Sequence, residues 1–231
     1  ADMVVLTGEL SDFSVGDVYR AGELVASGVR LLEIPPHTDD SPVRDTVRLA
    51  PLGPHDLDLK LKSENARVIT VRPGSLVTGD EFRTVIRDTQ GRFIPDPDAD
   101  LLKLIVVERH RSTGRIGIGI LEGYGLRGGA AASSIAHDSH NLIAVGDDDA
   151  AILAALRALA TSGGGISLAA SGGELLGVLP LPLGGLMSDQ DPGVTAARLD
   201  ELIALAHDRL GVRAELDPFM PLSFLALPVI P

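Results

Sequence analysis

The chain has 231 residues, enough for one large domain or two small ones. Its 45% hydrophobic and 23% charged residues are those of a globular protein, and a net charge of -12 argues against general electrostatic binding to nucleic acid or an anionic membrane. Cys and Trp are absent and aromatics make up only 3%, which excludes disulfides, cysteine nucleophiles and the Cys-based zinc site of cytidine deaminases, and argues against base-stacking platforms.

No apolar run reaches the roughly 18 residues of a membrane helix, and no basic-then-apolar leader opens the chain, so a cytoplasmic protein is expected. Met3-Val4-Val5-Leu6 predicts a strand, and its abrupt start predicts that the chain was cut from something longer. Residues 18–26 predict a hairpin turning at Gly22. A lone hairpin is marginal, so residues 1–33 are expected to pair incompletely within this chain. Residues 34–66 carry Pro35, Pro36, Pro42, Pro51 and Pro54, which interrupt helix and central strand alike and predict a linker.

Strands are predicted at 67–71, more weakly at 84–86, then at 102–107 and 116–120. In the last, Ile116, Ile118 and Ile120 share one face, while Gly117 and Gly119 leave the other open to close approach by a backbone or ligand. Residues 131–136 and 142–145 predict two more strands. Asp147-Asp148-Asp149 puts negative charge at a helix N-terminus; Ile152, Leu153, Leu156 and Leu159 form its apolar stripe, and Gly163-Gly164-Gly165 its cap and connector. A hairpin follows around Gly172-Gly173. A second helix opens with Asp191 and Pro192, buries Leu199, Leu202, Ile203, Ala206 and Leu210, and stops at Gly211. The pattern predicts an α+β fold: a mixed or largely antiparallel sheet with helices on one side, preceded by a partial β-sandwich segment.

The densest polar cluster is His137-Asp138-Ser139-His140-Asn141, between two apolar strands. Its residues fit a polar turn in which Asp138 and Asn141 bond the backbone, a metal pair lacking a visible third ligand, or a set of substrate contacts on a rigid scaffold. Glu108-Arg109-His110 reads either as a local ion pair or as a group projecting toward the same site. The glycines at 117–123 lack phosphate-loop spacing, and Arg127-Gly128-Gly129 reads as a turn before an anion site. His37, His55 and His207 carry no chemical signal.

Several ordered stretches together resemble the C-terminal part of bacterial adenine deaminases of the amidohydrolase superfamily. They are Val107-Glu108-Arg109-His110, Gly123-Tyr124-Gly125-Leu126, Ser134-Ile135-Ala136-His137-Asp138-Ser139-His140-Asn141, Gly163-Gly164-Gly165, residues 179–188, Asp217-Pro218-Phe219-Met220 and residues 225–231. The resemblance divides the chain into a remnant of the amidohydrolase β-sandwich (1–33), the linker (34–66) and the adenine deaminase C-terminal α+β domain (67–231). It implies a purine-salvage hydrolase that converts adenine and water to hypoxanthine and ammonia, with manganese or iron in the full enzyme. The metal ligands and the catalytic acid and base would lie in a barrel domain, because no His-x-His strand occurs here; the segment alone would bind no metal and be inactive. By the same resemblance, His137, Asp138, Ser139, His140 and Asn141 are the substrate-proximal candidates. The implied partners are adenine, the barrel and further copies in a homo-oligomer, without nucleic acid or membrane. The competing readings are a standalone non-catalytic binding or regulatory module, and an independent metal hydrolase using His137 and His140.

Overall fold

The computed structural model describes residues 2–32 and 38–227, in two units divided after Asp40. His37 and residues 228–231 of the last matching stretch lie outside the described residues.

The first unit is an antiparallel meander, β1 (Met3–Thr7), β2 (Ser14–Arg20), β3 (Glu23–Ser27) and β4 (Arg30–Leu31), in that spatial order. Ala21 and Gly22 both have positive φ, 51° and 83°. A two-residue turn of that kind matches the strand twist, which is why the hairpin closes there. The expectation of incomplete pairing is corrected in one respect: β1 and β4 supply the partners that the hairpin lacks. The sheet is a single layer, with Met3, Val5 and Leu31 exposed.

The second unit holds β5 (Asn65–Thr70), β6 (Gly79–Thr84), β7 (Ile86–Arg87), β8 (Phe93–Ile94), β9 (Leu101–Val107), β10 (Ile116–Glu122), β11 (Gly129–Ser133), β12 (Leu142–Gly146), α1 (Asp149–Ser162), β13 (Gly165–Ala170), β14 (Glu174–Pro180) and α2 (Pro192–Leu210). Eight strands form one sheet in the order β14-β13-β11-β12-β9-β10-β5-β6. Every pairing is antiparallel except β10 with β5, so the sheet is mixed and largely antiparallel as expected. The weak strand at 84–86 divides instead: β6 ends at Thr84, and Ile86 pairs with Ile94 across β7 and β8.

The helices do not share one side of the sheet. On α1, Ile152, Leu156 and Leu159 pack against Ile105, Val107, Ala130, Ala132, Leu142 and Ala144. On α2, Leu202, Ala206 and Leu210 pack with Leu102, Leu104, Ala131, Ile143, Val145 and Leu168. Successive residues of β9, β11 and β12 thus enter opposite cores. These strands are apolar at nearly every position, so both sheet faces need cover, and each helix supplies one.

The proline-rich stretch also differs from the linker reading where it is described. Leu57 is fully buried in the α1-side core, and Val47, Leu49 and Leu52 pack against it. Arg48 N–H donates to the Arg109 carbonyl, and Arg157 donates to the Leu52 carbonyl. Proline forbids regular pairing but not burial, so the segment covers the core as irregular chain with a 3-10 turn at Pro54–Leu57.

The three consecutive aspartates have separate tasks. Asp148 caps α1 by accepting from the Ala151 amide at 2.7 Å, Asp149 pairs with Lys103, and Asp147 accepts from the Gly128 and Gly129 amides. That last contact means the Arg127-Gly128-Gly129 turn already holds a carboxylate of the chain itself. Gly163 and Gly211 end the helices in left-handed conformations, as their positions predicted. Among the described residues, no helix is long and apolar enough to cross a membrane.

Candidate functional site

The 137–141 loop joins β11 to β12, and both strands are buried along their whole length. Its backbone is anchored at each end. His137 N–H donates to the Ser223 carbonyl at 2.7 Å, and His140 N–H to the Ala136 carbonyl at 2.6 Å. His140 has φ 50°, a left-handed conformation that turns the chain back toward β12. The His137 ring stacks on Phe224 with centroids 5.1 Å apart and planes at 24°.

The Glu108-Arg109-His110 triplet, at the end of β9, resolves in favour of the second alternative. Arg109 is buried and donates through Nε to the His140 carbonyl and through Nη2 to the Gly184 carbonyl at 2.9 Å. His110 Nε2 lies 2.7 Å from the Ser139 carbonyl. Glu108 pairs with neither. Its carboxylate accepts from the Thr113 amide and hydroxyl and from the His110 and Arg111 amides. Led by the Thr113 amide, these bonds outweigh the opposing desolvation and hold its pKa down to about 2.

Beneath the loop lies a second layer that sequence reasoning missed. Ser134 is fully buried; its Oγ accepts from the Gly165 amide at 2.6 Å and donates to the Gly185 carbonyl. Gly165 has φ 136°, and a Cβ there would overlap the Leu179 carbonyl oxygen. The glycine triplet is therefore a cap at Gly163 and a close backbone crossing at Gly164 and Gly165. A buried serine beside an apolar strand was the available signal, because such a hydroxyl must find partners.

The loop presents several functional groups. Burial, assisted by the neighbouring His137, Arg109 and His110 and opposed by Asp138, pushes the His140 pKa down. Its imidazole is accordingly neutral at pH 7, with one nitrogen able to accept and the other to donate. The Asp138 side chain is 87% exposed. The Asn141 Oδ1 is buried without a hydrogen-bond partner. His137 and His140 have ring centroids 5.7 Å apart with planes tilted by 54°, and among the described residues no three His, Asp or Glu side chains come together to hold a metal ion.

A groove of about 470 Å³ lies elsewhere on the sheet, lined by Arg67, Ile69, Asp80, Gly119, Ile120 and Leu225 among others, and none of the five loop residues reaches it. Gly117 and Gly119 face side chains at ordinary distances, Val106 and Ile69, each 3.9 Å from a hypothetical Cβ. They mark no close backbone approach; Gly119 opens onto the groove. Of the histidines outside the loop, His207 bonds the Val212 carbonyl at the end of α2, and His55 faces Asp58 at 3.6 Å.

Residues 75–231 match the family model described as the adenine deaminase C-terminal domain. The chain is 49% identical over 98% of its length to an adenine deaminase of Nitratidesulfovibrio vulgaris, and 47% identical over 100% to one of Desulfatibacillum aliphaticivorans. It is 39% identical over 100% to an adenine deaminase of Halalkalibacterium halodurans. It spans 39%, 40% and 39% of these three relatives.

Proposed function

Because the chain belongs to the adenine deaminase C-terminal domain family, we propose that it is the C-terminal part of an enzyme that hydrolyses adenine to hypoxanthine and ammonia. In this reading the 137–141 loop forms one wall of the adenine site, and the rest of the full-length protein supplies the other. The observation that carries it is a polar loop, clamped from below, in which the Asn141 Oδ1 is buried without a hydrogen-bond partner. A purine presents ring nitrogens and an exocyclic amine, which need matched donors and acceptors away from water. A neutral His140 and the amide of Asn141 supply both kinds on short side chains.

The residues of this chain do not fit the manganese or iron of the full enzyme, since no three candidate ligands converge among those described. We assign the metal, and the acid and base that act with it, to the barrel domain outside this chain. The loop's part is to bind and orient the base and to exclude water. Purine salvage, a cytoplasmic setting and homo-oligomeric assembly belong to the same proposal.

The test uses the full-length enzyme. His140→Ala and Asn141→Ala should each lower kcat/KM for adenine by roughly tenfold or more, about 1.4 kcal/mol of transition-state stabilisation, with little change in melting temperature. Wild-type kinetics with a lowered melting temperature would make the loop a structural turn. The 231-residue chain alone, with added manganese or iron, should release no ammonia from adenine above background.

A further inference from the structure

Arg109 ties together three segments that are remote in sequence. Its guanidinium donates to the His140 carbonyl, to the Gly184 carbonyl at 2.9 Å and to Thr46 Oγ1 at 3.4 Å. The Gly184 amide in turn donates to the Val43 carbonyl at 2.6 Å, and the Arg109 carbonyl accepts from Arg48 at 2.7 Å. All three guanidinium acceptors are neutral oxygens, and among the described residues no carboxylate lies within ion-pair distance of Arg109. Burying a cation with no counter-ion is unfavourable, and an apolar residue would fill the space at less cost. What the apolar residue lacks is a rigid planar fork with five donors, able to reach several acceptors at once.

We propose that Arg109 is the positioning residue of the 137–141 loop, fastening the His140 carbonyl to Gly184 and Thr46 and so fixing where His140 and Asn141 present their side chains. Its importance for catalysis rests on the reading that this loop meets adenine. The contact at Gly185 supports the geometry. A Cβ there would come within 2.6 Å of Arg109 Nη1 and 2.9 Å of Cζ, so the turn at 184–185 forms a fitted wall for the fork. The charge acts as well. The groups facing His140 are Arg109, His137 and His110, all cationic when protonated, against the single carboxylate of Asp138. Arg109 is the permanent member, and it biases His140 toward the neutral form.

The experiment separates fork from charge. Arg109→Lys keeps the charge and loses the fork; Arg109→Gln loses both; Gly185→Ala displaces the fork with the charge intact. In variants that retain cooperative unfolding, exchange of the His140 amide should accelerate at least tenfold while Ile105 and Ala144 in the sheet keep their protection. The His140 ring titration, followed by NMR, should move up in Arg109→Gln and stay near wild type in Arg109→Lys. Unchanged His140 exchange in folded Arg109→Lys and Gly185→Ala overturns the proposal. So does acceleration shared equally with Ile105 and Ala144, which would make Arg109 a packing residue only. If Arg109→Lys does not fold, Gly185→Ala decides. In the full-length enzyme, a loosened loop with lower kcat/KM supports both readings. A loosened loop with wild-type kinetics supports the positioning role and overturns the adenine reading.

Discussion

Lys103 and Asp149 join the centre of the sheet to the start of α1, and removing either partner should have unequal consequences. The Lys103 side chain is 4% exposed, and its Nζ donates to both Asp149 oxygens, at 2.6 and 2.9 Å. The Asp149 side chain is 37% exposed. Asp149→Ala removes the bonded partner of a nearly buried ammonium, in a groove that Asp58, Asp88, Asp147 and Asp148 also line. Breaking a fully buried pair costs about 3–5 kcal/mol; partial access of water at Asp149 reduces this to about 2–3. Loss of a first-turn carboxylate adds about 0.5 kcal/mol, for a total near 3. Lys103→Met removes the charge that needs a partner, keeps the stem's volume and leaves Asp149 to rehydrate, so its cost should stay below about 1.5 kcal/mol. The double variant should resemble Lys103→Met, giving a coupling of about 3 kcal/mol in magnitude, the full cost of Asp149→Ala. Urea unfolding can be followed through Tyr124, since the chain has two tyrosines and no tryptophan. In a Tyr19→Phe background, the near-ultraviolet signal then reports the second unit alone. Equal costs for the two single variants, or additivity within about 0.5 kcal/mol, would refute the reasoning and make the pair equivalent to an exposed one.

Two further outcomes follow from the same geometry. Gly165→Ala combines a strained positive φ with overlap at the Leu179 carbonyl, each costing about 1–3 kcal/mol. It should lower the melting temperature of the second unit by roughly 5 °C or more, at about 2–4 °C per kcal/mol for this chain length; a melting temperature within 2 °C of wild type, roughly the shift expected for 1 kcal/mol, would contradict this. Glu108 is ionised more readily in the folded chain than in the unfolded one. Its contribution to stability is therefore complete above the unfolded carboxylate pKa, about 4.3, and is lost as pH falls through about 2. NMR titration of the Glu108 carboxyl should show a midpoint near 2; a midpoint near 4 would mean that the turn at 110–113 does not hold it.

What the sequence determined by itself was local in origin. Asp191, Pro192 and Gly211 bound α2 because capping depends on a few adjacent residues, and the hairpin at Gly22 follows from the φ that its turn requires. The apolar run of β9 and the alternation along β10 were equally legible, as was the polar loop at 137–141, because five polar residues between apolar strands stand out without any knowledge of the fold. Only the tertiary structure decided what lies against those elements. It placed a helix on each face of the sheet, folded Leu57 out of a proline-rich stretch into the core, and gave Asp147, Asp148 and Asp149 three different partners. It also turned Arg109 from a neighbour of Glu108 into the clamp of a loop 31 positions away. The physical reason is that a side chain's partner is selected by burial: once Arg109 and Ser134 leave water, they must bond whichever carbonyl or amide the packing brings near, and that choice is made between residues far apart in the chain.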